Sequence, residues 1–156
     1  AVRFVLVKIV DARGFTFFTN YESVKARELE ATPRAALAFH WASTGEQFRV
    51  RGAVQRIPVE ESDAYFATRP RESQLGAWAS QQSAPIADRA ALDAQLDAVT
   101  QRFAGHAQIP RPAHWGGYRI APSVIEVWRD RSGRLHDRWS FARANDGAWS
   151  CQRLQP

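Results

Sequence analysis

The densest group of reactive side chains in the sequence is Gly133-Arg134-Leu135-His136-Asp137-Arg138. On an extended strand side chains alternate, so Arg134, His136 and Arg138 are expected to share one face. Two guanidiniums flanking an imidazole attract an anion, and burying such a face without one is costly. The same pattern also suits a solvent-facing edge strand, where charge discourages sheet-to-sheet association. Spacing does not separate the two readings. A second group runs from Tyr65 to Ser73 through Arg69-Pro70-Arg71. Tyr65 and Arg69 are four apart and adjacent on a helix face if the last turn survives next to Pro70. Ser73 opens the following helix, whose first amides can also receive an anion. A phenol, an arginine fork and a hydroxyl around a helix start suit a phosphate monoester; ordinary surface hydrogen bonding is the plain alternative. The third group, Ser73 to Ser83, mixes the Trp78 indole with neutral polar side chains. A loop capping the next helix would look the same.

These groups need elements to hold them. Val2–Val10 and Phe15–Thr19, joined by Asp11-Ala12-Arg13-Gly14, read as a β-hairpin. Glu22–Ala31 reads as a helix stopped by Pro33. Ala35–Trp41 and Gln47–Ile57 read as strands, with Gly52 as a possible bulge. Val59–Thr68 is a helix with Glu60 and Glu61 in its first turn, where the helix dipole favours them. Pro70 breaks it, and Arg71–Ala79 forms a second. Ile86–Phe103 carries Leu92, Leu96, Val99 and Phe103 at helical spacing, a stripe expected to face the core. Strands follow at Tyr118–Ala121, Ile125–Trp128, Leu135–Ala142 and Trp149–Leu154, with turns at Gly133 and Asn145-Asp146-Gly147. About seven strands in sequential hairpins, with short helices, predict a mainly β (α+β) chain: an antiparallel barrel or sandwich rather than a doubly wound parallel sheet. No repeat or linker interrupts residues 1–156, so one domain is expected.

Composition narrows the function. Hydrophobic residues make up 45% and charged residues 24% of 156 residues, ordinary values for a globular chain. With 21 Lys+Arg against 16 Asp+Glu the net charge is +5, which favours anionic partners. The basic residues are scattered singly, which fits discrete phosphate pockets better than a nucleic-acid stripe. No apolar run is long enough for a transmembrane helix and no export signal is visible, so no membrane partner is expected. The single cysteine, Cys151, excludes an intrachain disulfide and favours a reducing, cytoplasmic setting. His40, His106, His114 and His136 are dispersed without ligand spacing, so no metal site is expected. Neither G-x-G-x-x-G nor a P-loop occurs, so any phosphate must be held by side chains.

Taken in order, Arg3-Phe4-Val5-Leu6-Val7-Lys8, Phe17 to Tyr21, Arg69-Pro70-Arg71, Ser73 to Ser83, Trp115-Gly116-Gly117-Tyr118-Arg119 and Arg134 to Arg138 resemble the pyridoxamine 5′-phosphate oxidase family across essentially the whole chain. The resemblance implies a dimeric split β-barrel flavoprotein with FMN held between subunits. It implies FMN contacts at Arg3, Phe4, Val5, Leu6, Val7, Lys8, Phe18, Thr19, Lys25, Gln47, Gln82, Ser83, Trp128 and Arg138. It implies that Lys8, Tyr65, Arg69 and Ser73 meet the substrate phosphate, and that Arg134, Leu135 and His136 lie against the reacting end, with Arg134 and His136 catalytic. The implied reaction oxidises pyridoxamine or pyridoxine 5′-phosphate to pyridoxal 5′-phosphate, with O₂ as acceptor and release of hydrogen peroxide. A flavin oxidase of another pathway, such as phenazine biosynthesis, and a non-catalytic flavin or pyridoxal-phosphate binder are the alternatives.

The chain departs from the family pattern near the expected FMN shell. Glu46 and Val24 stand where basic residues are usual, Arg129-Asp130-Arg131 replaces a more typical glutamine and glycine after Trp128, and Phe18 replaces a frequent tyrosine. These departures are expected to affect cofactor affinity more than the fold. The sequence opens at Ala1 without methionine and has no counterpart of the family's N-terminal helix and first strands, so an incomplete or processed chain is expected.

Overall fold

Turn chemistry places the first hairpin. Asp11 accepts a hydrogen bond from the Arg13 backbone N–H (2.8 Å), and Gly14 adopts φ +133°. A Cβ at Gly14 would come within 2.1 Å of the Ile120 carbonyl oxygen, so only glycine allows this approach. The hairpin joins strands β1 (Val7–Asp11) and β2 (Gly14–Asn20). This structure, a computed structural model, describes residues 2–156. Residues 2–6 are in no strand, contrary to the expected Val2–Val10, and Val2, Phe4 and Leu6 are exposed. β-Rich composition favours a strand but cannot supply the ladder partner that makes one.

Helix α1 (Val24–Ala31) starts two residues later than expected, because Ser23 is its N-cap and its Oγ accepts from the Ala26 N–H (3.3 Å). Strands β3 (Arg34–Trp41) and β4 (Glu46–Arg56) pair antiparallel. Their register runs unbroken from Arg34 opposite Ala53 to Trp41 opposite Glu46, so Gly52 is not a bulge. Gly52 instead admits the backbone of the next strand: a Cβ there would lie 1.8 Å from the Ala121 carbonyl oxygen. Helices α2 (Val59–Ala67) and α3 (Arg71–Ala79) form on either side of Pro70 as expected. Helix α4 (Arg89–Arg102) is capped by Asp88, which accepts from the Ala91 N–H (2.8 Å). Its apolar stripe is only partly core-facing. No residue of α4 is buried, Leu96 is exposed, and Phe103, just past its end, is the buried member.

The two expected strands around Pro122 are one 15-residue strand, β5 (Trp115–Arg129). Strands β6 (Asp137–Arg143) and β7 (Trp149–Leu154) complete seven strands among the described residues. Their order is β1-β2-β5-β4-β3, with β6 paired to β5 and to β7. The β5–β6 and β6–β7 pairs are antiparallel. The protein is thus mainly β, an open and mostly antiparallel sheet with four short helices.

The chain divides into two compact units. Among the described residues the first comprises 2–9, 16–32 and 56–119; its core is Phe66, Leu75, Phe103, Ile109 and Trp115, with Phe18, Tyr65, Trp78 and Val99 packed against it. The second comprises 10–15, 33–55 and 120–156. There the Phe15 ring sits 6.1 Å from both Phe39 and Phe48, and Val50 and Val54 are buried.

Candidate functional site

In the first unit the α2–α3 break builds a cationic subsite on an aromatic floor. Arg69 N–H bonds the Phe66 carbonyl (3.1 Å), so the last turn of α2 survives next to Pro70 and keeps Tyr65 and Arg69 together. Phe18, Tyr65 and Trp115 stack nearly parallel, with Phe18 centroids 3.8 Å from Tyr65 and 5.3 Å from Trp115. The Arg69 guanidinium lies 4.5 Å over the Trp115 ring. Its Nη1 is buried without a hydrogen-bond partner. Burial pushes the Arg69 pKa down, partly offset by Tyr65. A guanidinium nitrogen left bare in this way is costly unless an anion completes it.

Neighbouring groups fix the floor and leave Arg69 alone. Arg71, the other arginine beside Pro70, donates to the Phe103 (2.7 Å) and His106 (2.9 Å) carbonyls beyond α4. Gln74 Nε2 donates to the Phe66 carbonyl (2.9 Å) and ties α3 to α2. Arg111 Nε donates to Asp63 (2.6 Å) while its Nη1 holds the Trp115 carbonyl (2.5 Å). Ser73 is half-buried in the first turn of α3, and Lys8 is exposed on β1.

A second cluster in the same unit gathers Thr19, Lys25, Gln82 and Ser83. Thr19 Oγ1 donates to Gln82 Oε1 (2.9 Å), and Lys25 Nζ donates to Gln82 Oε1 (3.1 Å), to Ser23 Oγ (3.4 Å) and to Thr19 Oγ1. The Val24 N–H reaches Ser83 Oγ at 3.4 Å, so position 24 contributes its backbone where a basic side chain is usual. Asn20 orders the loop, its Nδ2 donating to the Ser80 carbonyl (3.3 Å) and its Oδ1 accepting from the Glu22 N–H (2.7 Å). Burial lowers the Lys25 pKa, and the nearby Arg3 charge lowers it further. Lys25 faces neutral oxygens here with the Arg3 charge nearby, a donor set that fits a phosphate or another polar anion.

In the second unit Trp128 and Arg138 sit directly opposite each other across β5 and β6, and the His136 ring packs 4.5 Å from Trp128. Arg134, however, is not on a strand. Ser132–Arg134 form a 3₁₀ turn with Gly133 at φ +65° and Arg134 at φ +62°, and β6 begins only at Asp137. The expected shared face is therefore corrected: Arg134 and Leu135 project from an exposed turn. The glycine that marks a hairpin turn here also breaks the alternation on which that face depended. Ser83 (φ +73°) and Arg134 are the non-glycine residues at positive φ among the described residues, a strained conformation that clusters at functional positions.

Several arginines of this unit reach carboxylates. Arg138 donates through Nε (3.0 Å) and Nη2 (2.9 Å) to Glu126 Oε1, and through Nη1 to the Gln155 carbonyl (3.0 Å). Glu126 also pairs with Arg49. Burial alone would raise the Glu126 pKa, but bonding from Arg49 and Arg138 outweighs it and holds the carboxyl low. Asp137 accepts from Arg131 Nε (2.7 Å) and from Arg153. Glu46 accepts from Arg129 Nε (3.0 Å), so two departures from the family pattern neutralise each other. Gln47 is half-buried on β4, opposite His40 on β3.

Of the expected site residues, the phosphate set Lys8, Tyr65, Arg69 and Ser73 lies wholly in the first unit, with the 3–8 segment, Phe18, Thr19, Lys25, Gln82 and Ser83. Gln47, Trp128, Arg134, Leu135, His136 and Arg138 lie in the second. Sequence reading missed Trp115 as the floor under Arg69, and Glu126 as the partner of Arg138. Glu126 had a signal: it is the single charge in Val124-Ile125-Glu126-Val127-Trp128, a position that calls for a cation on the same sheet face.

No helix among the described residues is long and apolar enough to cross a membrane. Comparison with known proteins agrees with the geometry. Residues 1–103 match the family described as pyridoxamine 5′-phosphate oxidase, and residues 115–156 match the pyridoxine 5′-phosphate oxidase C-terminal dimerisation region. A pyridoxine/pyridoxamine 5′-phosphate oxidase of Anaeromyxobacter dehalogenans is 59% identical over 156 residues, covering 100% of this chain and 78% of that protein. The crystal structure of PhzG from Burkholderia lata, in complex with tetrahydrophenazine-1-carboxylic acid, is 33% identical with a TM-score of 0.91, covering 99% of this chain and 74% of that one. A pyridoxamine 5′-phosphate oxidase-related, FMN-binding protein of Nostoc punctiforme shares the fold at 17% identity and a TM-score of 0.76, covering 99% of this chain and 80% of that one. Matched along both its N-terminal and C-terminal regions, the chain belongs to the pyridoxamine 5′-phosphate oxidase family.

Proposed function

We propose that this protein is an FMN-dependent oxidase that converts pyridoxamine or pyridoxine 5′-phosphate to pyridoxal 5′-phosphate, acting as a homodimer. The observation that carries the reading is the buried, unpartnered Nη1 of Arg69 on the Phe18–Tyr65–Trp115 floor. A phosphate monoester supplies the acceptor this nitrogen lacks, and the rings below suit a flat heterocycle. Lys8, Tyr65 and Ser73 complete the phosphate shell in this reading, and Arg134, Leu135 and His136 face the reacting carbon.

Lys25, Thr19, Gln82 and Ser83 would hold FMN together with the 3–8 segment and Phe18. Gln47, Trp128 and Arg138 would complete its shell, and the matched dimerisation region supports a second copy as a source of part of it. When bound, FMN supplies the redox chemistry, as a two-electron acceptor whose electrons pass on to O₂ with release of hydrogen peroxide. The protein's own part is positioning. Arg69 and its neighbours anchor the phosphate, so remote binding energy holds the reacting carbon in place. Arg134 stabilises developing negative charge, and His136 takes up or orients a proton of the amine or alcohol.

A phenazine-type flavin oxidation is the second reading, favoured by the 0.91 TM-score to PhzG. The vitamer reading has the stronger support, from 59% identity to a named vitamer oxidase against 33% to PhzG. The test is an absorbance spectrum of the purified protein, then pyridoxamine 5′-phosphate under air. Bound flavin with peroxide release is expected. Flavin without turnover on either phosphorylated vitamer would move the assignment to the second reading, and no flavin after FMN addition would remove both. Turnover unchanged by Arg134→Ala or His136→Ala would remove the roles given to those side chains.

A further inference from the structure

The chain turns back on itself between Trp128 and Arg138, and the turn is tied at its base. The Asp130 N–H donates to the Gly45 carbonyl (2.8 Å), Arg131 Nε donates to Asp137 (2.7 Å), and the Leu135 N–H donates to the Ser132 carbonyl (3.3 Å). Arg131 is thus held in place, and its backbone N–H donates to His136 Nδ1 (3.2 Å). Trp128 packs on the same imidazole, with ring centroids 4.5 Å apart, and limits its rotation.

An amide N–H only donates, so the nitrogen that meets it must present a lone pair. In a neutral imidazole one nitrogen carries the proton and the other the lone pair, and the bond made by one decides the state of the other. A lone pair on Nδ1 therefore puts the proton on Nε2. The rival for Nδ1 is the Asp130 carboxylate, whose Oδ1 lies 3.0 Å away, an ion-pair distance and not a hydrogen bond. Its side chain is 63% exposed, and an exposed carboxylate gains little from such a contact. Arg131 and Arg153 bond Asp137, and Arg138 bonds Glu126, so these charges are balanced without the ring.

We infer that the backbone N–H of Arg131 holds neutral His136 as the Nε2–H tautomer, so that the ring meets the reacting end of the substrate as a hydrogen-bond donor. The direction that His136 faces rests on the function proposed above. The inference narrows its role there: with Nδ1 occupied and Nε2 protonated, the ring orients the amine or alcohol through the lone pair of its nitrogen or oxygen and does not take the proton away. The positioning group is the main chain, so it does not depend on the side chains by which Arg129-Asp130-Arg131 departs from the family pattern. Any residue but proline at 131 carries the same N–H.

The experiment is ¹⁵N-edited NMR of the imidazoles in the purified holoprotein without substrate, with His136 assigned by its loss in His136→Gln. The wild-type ring should be protonated at Nε2 and bare at Nδ1, with a scalar coupling across the hydrogen bond linking Nδ1 to the Arg131 amide nitrogen. Asp130→Ala should leave both signatures in place. A wild-type ring protonated at Nδ1, or a tautomer that changes in Asp130→Ala, overturns the positioning by Arg131. Steady-state kinetics then tests the donor role. The side-chain amide of His136→Gln can donate from near the Nε2 position, whereas His136→Asn reaches only as far as Nδ1. The glutamine variant should therefore exceed the asparagine variant in kcat by about 100-fold, the lower range for loss of one positioned donor. Equal losses in the two variants overturn the donor role. A wild type that holds the Nε2–H tautomer but turns over neither vitamer upholds the positioning by Arg131 and counts against the proposed function alone.

Discussion

Around Arg69 a guanidinium lies on aromatic rings with one nitrogen buried and unpartnered, whereas around Glu126 and Asp137 four arginines, Arg49, Arg138, Arg131 and Arg153, reach carboxylates. Both regions are rich in cations, but they solve the cost of partial burial differently. In the second, the protein supplies its own counter-charges, so the network is complete before any ligand arrives and serves to fix side chains in place. In the first, the counter-charge is missing, and the cost is offset only when an anion binds. An unsatisfied cation is therefore a better pointer to a ligand than a concentration of positive charge. The sequence suggests the reverse ranking, because Arg134-Leu135-His136-Asp137-Arg138 is the more conspicuous run.

The largest expected effect breaks the comparison at Arg69. Arg69→Met should raise KM for the phosphorylated vitamer by roughly 30- to 5,000-fold, the range for removing one partner of a buried charged contact. It should also leave the ligand-free protein as stable as wild type or more so, because a half-buried cation with one buried, unpartnered nitrogen is exchanged for an apolar side chain. Thermal unfolding without ligand, set beside steady-state kinetics, reads both. A lowered melting temperature would mean that Arg69 is a structural residue, and its bare nitrogen would lose its meaning as a ligand site.

Glu126→Gln is the converse experiment. It leaves Arg138 and Arg49 facing a neutral amide, and should destabilise the fold by about 1.5–3 kcal/mol, the usual range for hydrogen bonds to charged groups. Urea unfolding measures this. A loss under about 0.5 kcal/mol would class the network with ordinary exposed ion pairs.

The acid limb of stability sharpens the same contrast. Glu126 and Asp137 have folded pKa values below their ordinary ones, Glu126 because its arginine bonds outweigh burial and Asp137 chiefly through Arg131. Between the folded and unfolded values the unfolded chain binds more protons, so stability rises with pH there. The contribution is complete above the ordinary carboxylate values of about 4 and is lost as pH falls through the depressed ones. Glu126→Gln should flatten the pH dependence of unfolding below about pH 4, while Arg69→Met should leave it unchanged. An identical acid limb in Glu126→Gln would show that the carboxylate gains nothing from its arginines.

How much of this was legible beforehand follows the range of the interactions. The helices and most strands were readable because their signals are local: Pro70 between α2 and α3, and alternation along β4. Tyr118–Ala121 and Ile125–Trp128 read as two strands, but they are one 15-residue β5 that runs through Pro122. A proline interrupts a strand only where its missing N–H is needed. The turn at Gly133 was readable, but it extends to Leu135, so the alternation expected from Arg134 onward starts only at Asp137. Site residues were named mostly through family resemblance. What that resemblance could not give was charge compensation. Residues 46 and 129 are 83 apart in sequence, and nothing local marks Glu46 as the partner of Arg129.

That pair supplies the smallest expected effect. Both side chains are substantially exposed, so Arg129→Gln or Glu46→Gln alone should change FMN affinity by less than about fivefold. Glu46→Arg restores the family's usual basic residue but sets it against Arg129, and should weaken FMN binding more than either neutral substitution. Adding Arg129→Gln to Glu46→Arg restores the usual pair of residues and should recover the loss. Quenching of FMN fluorescence on titration with protein measures all four variants. If Glu46→Arg alone bound as well as the double variant, the two departures would be independent of each other. The charge balance on this side would then rest on the Glu126 and Asp137 networks alone, and the first region would differ from the second only in its missing anion.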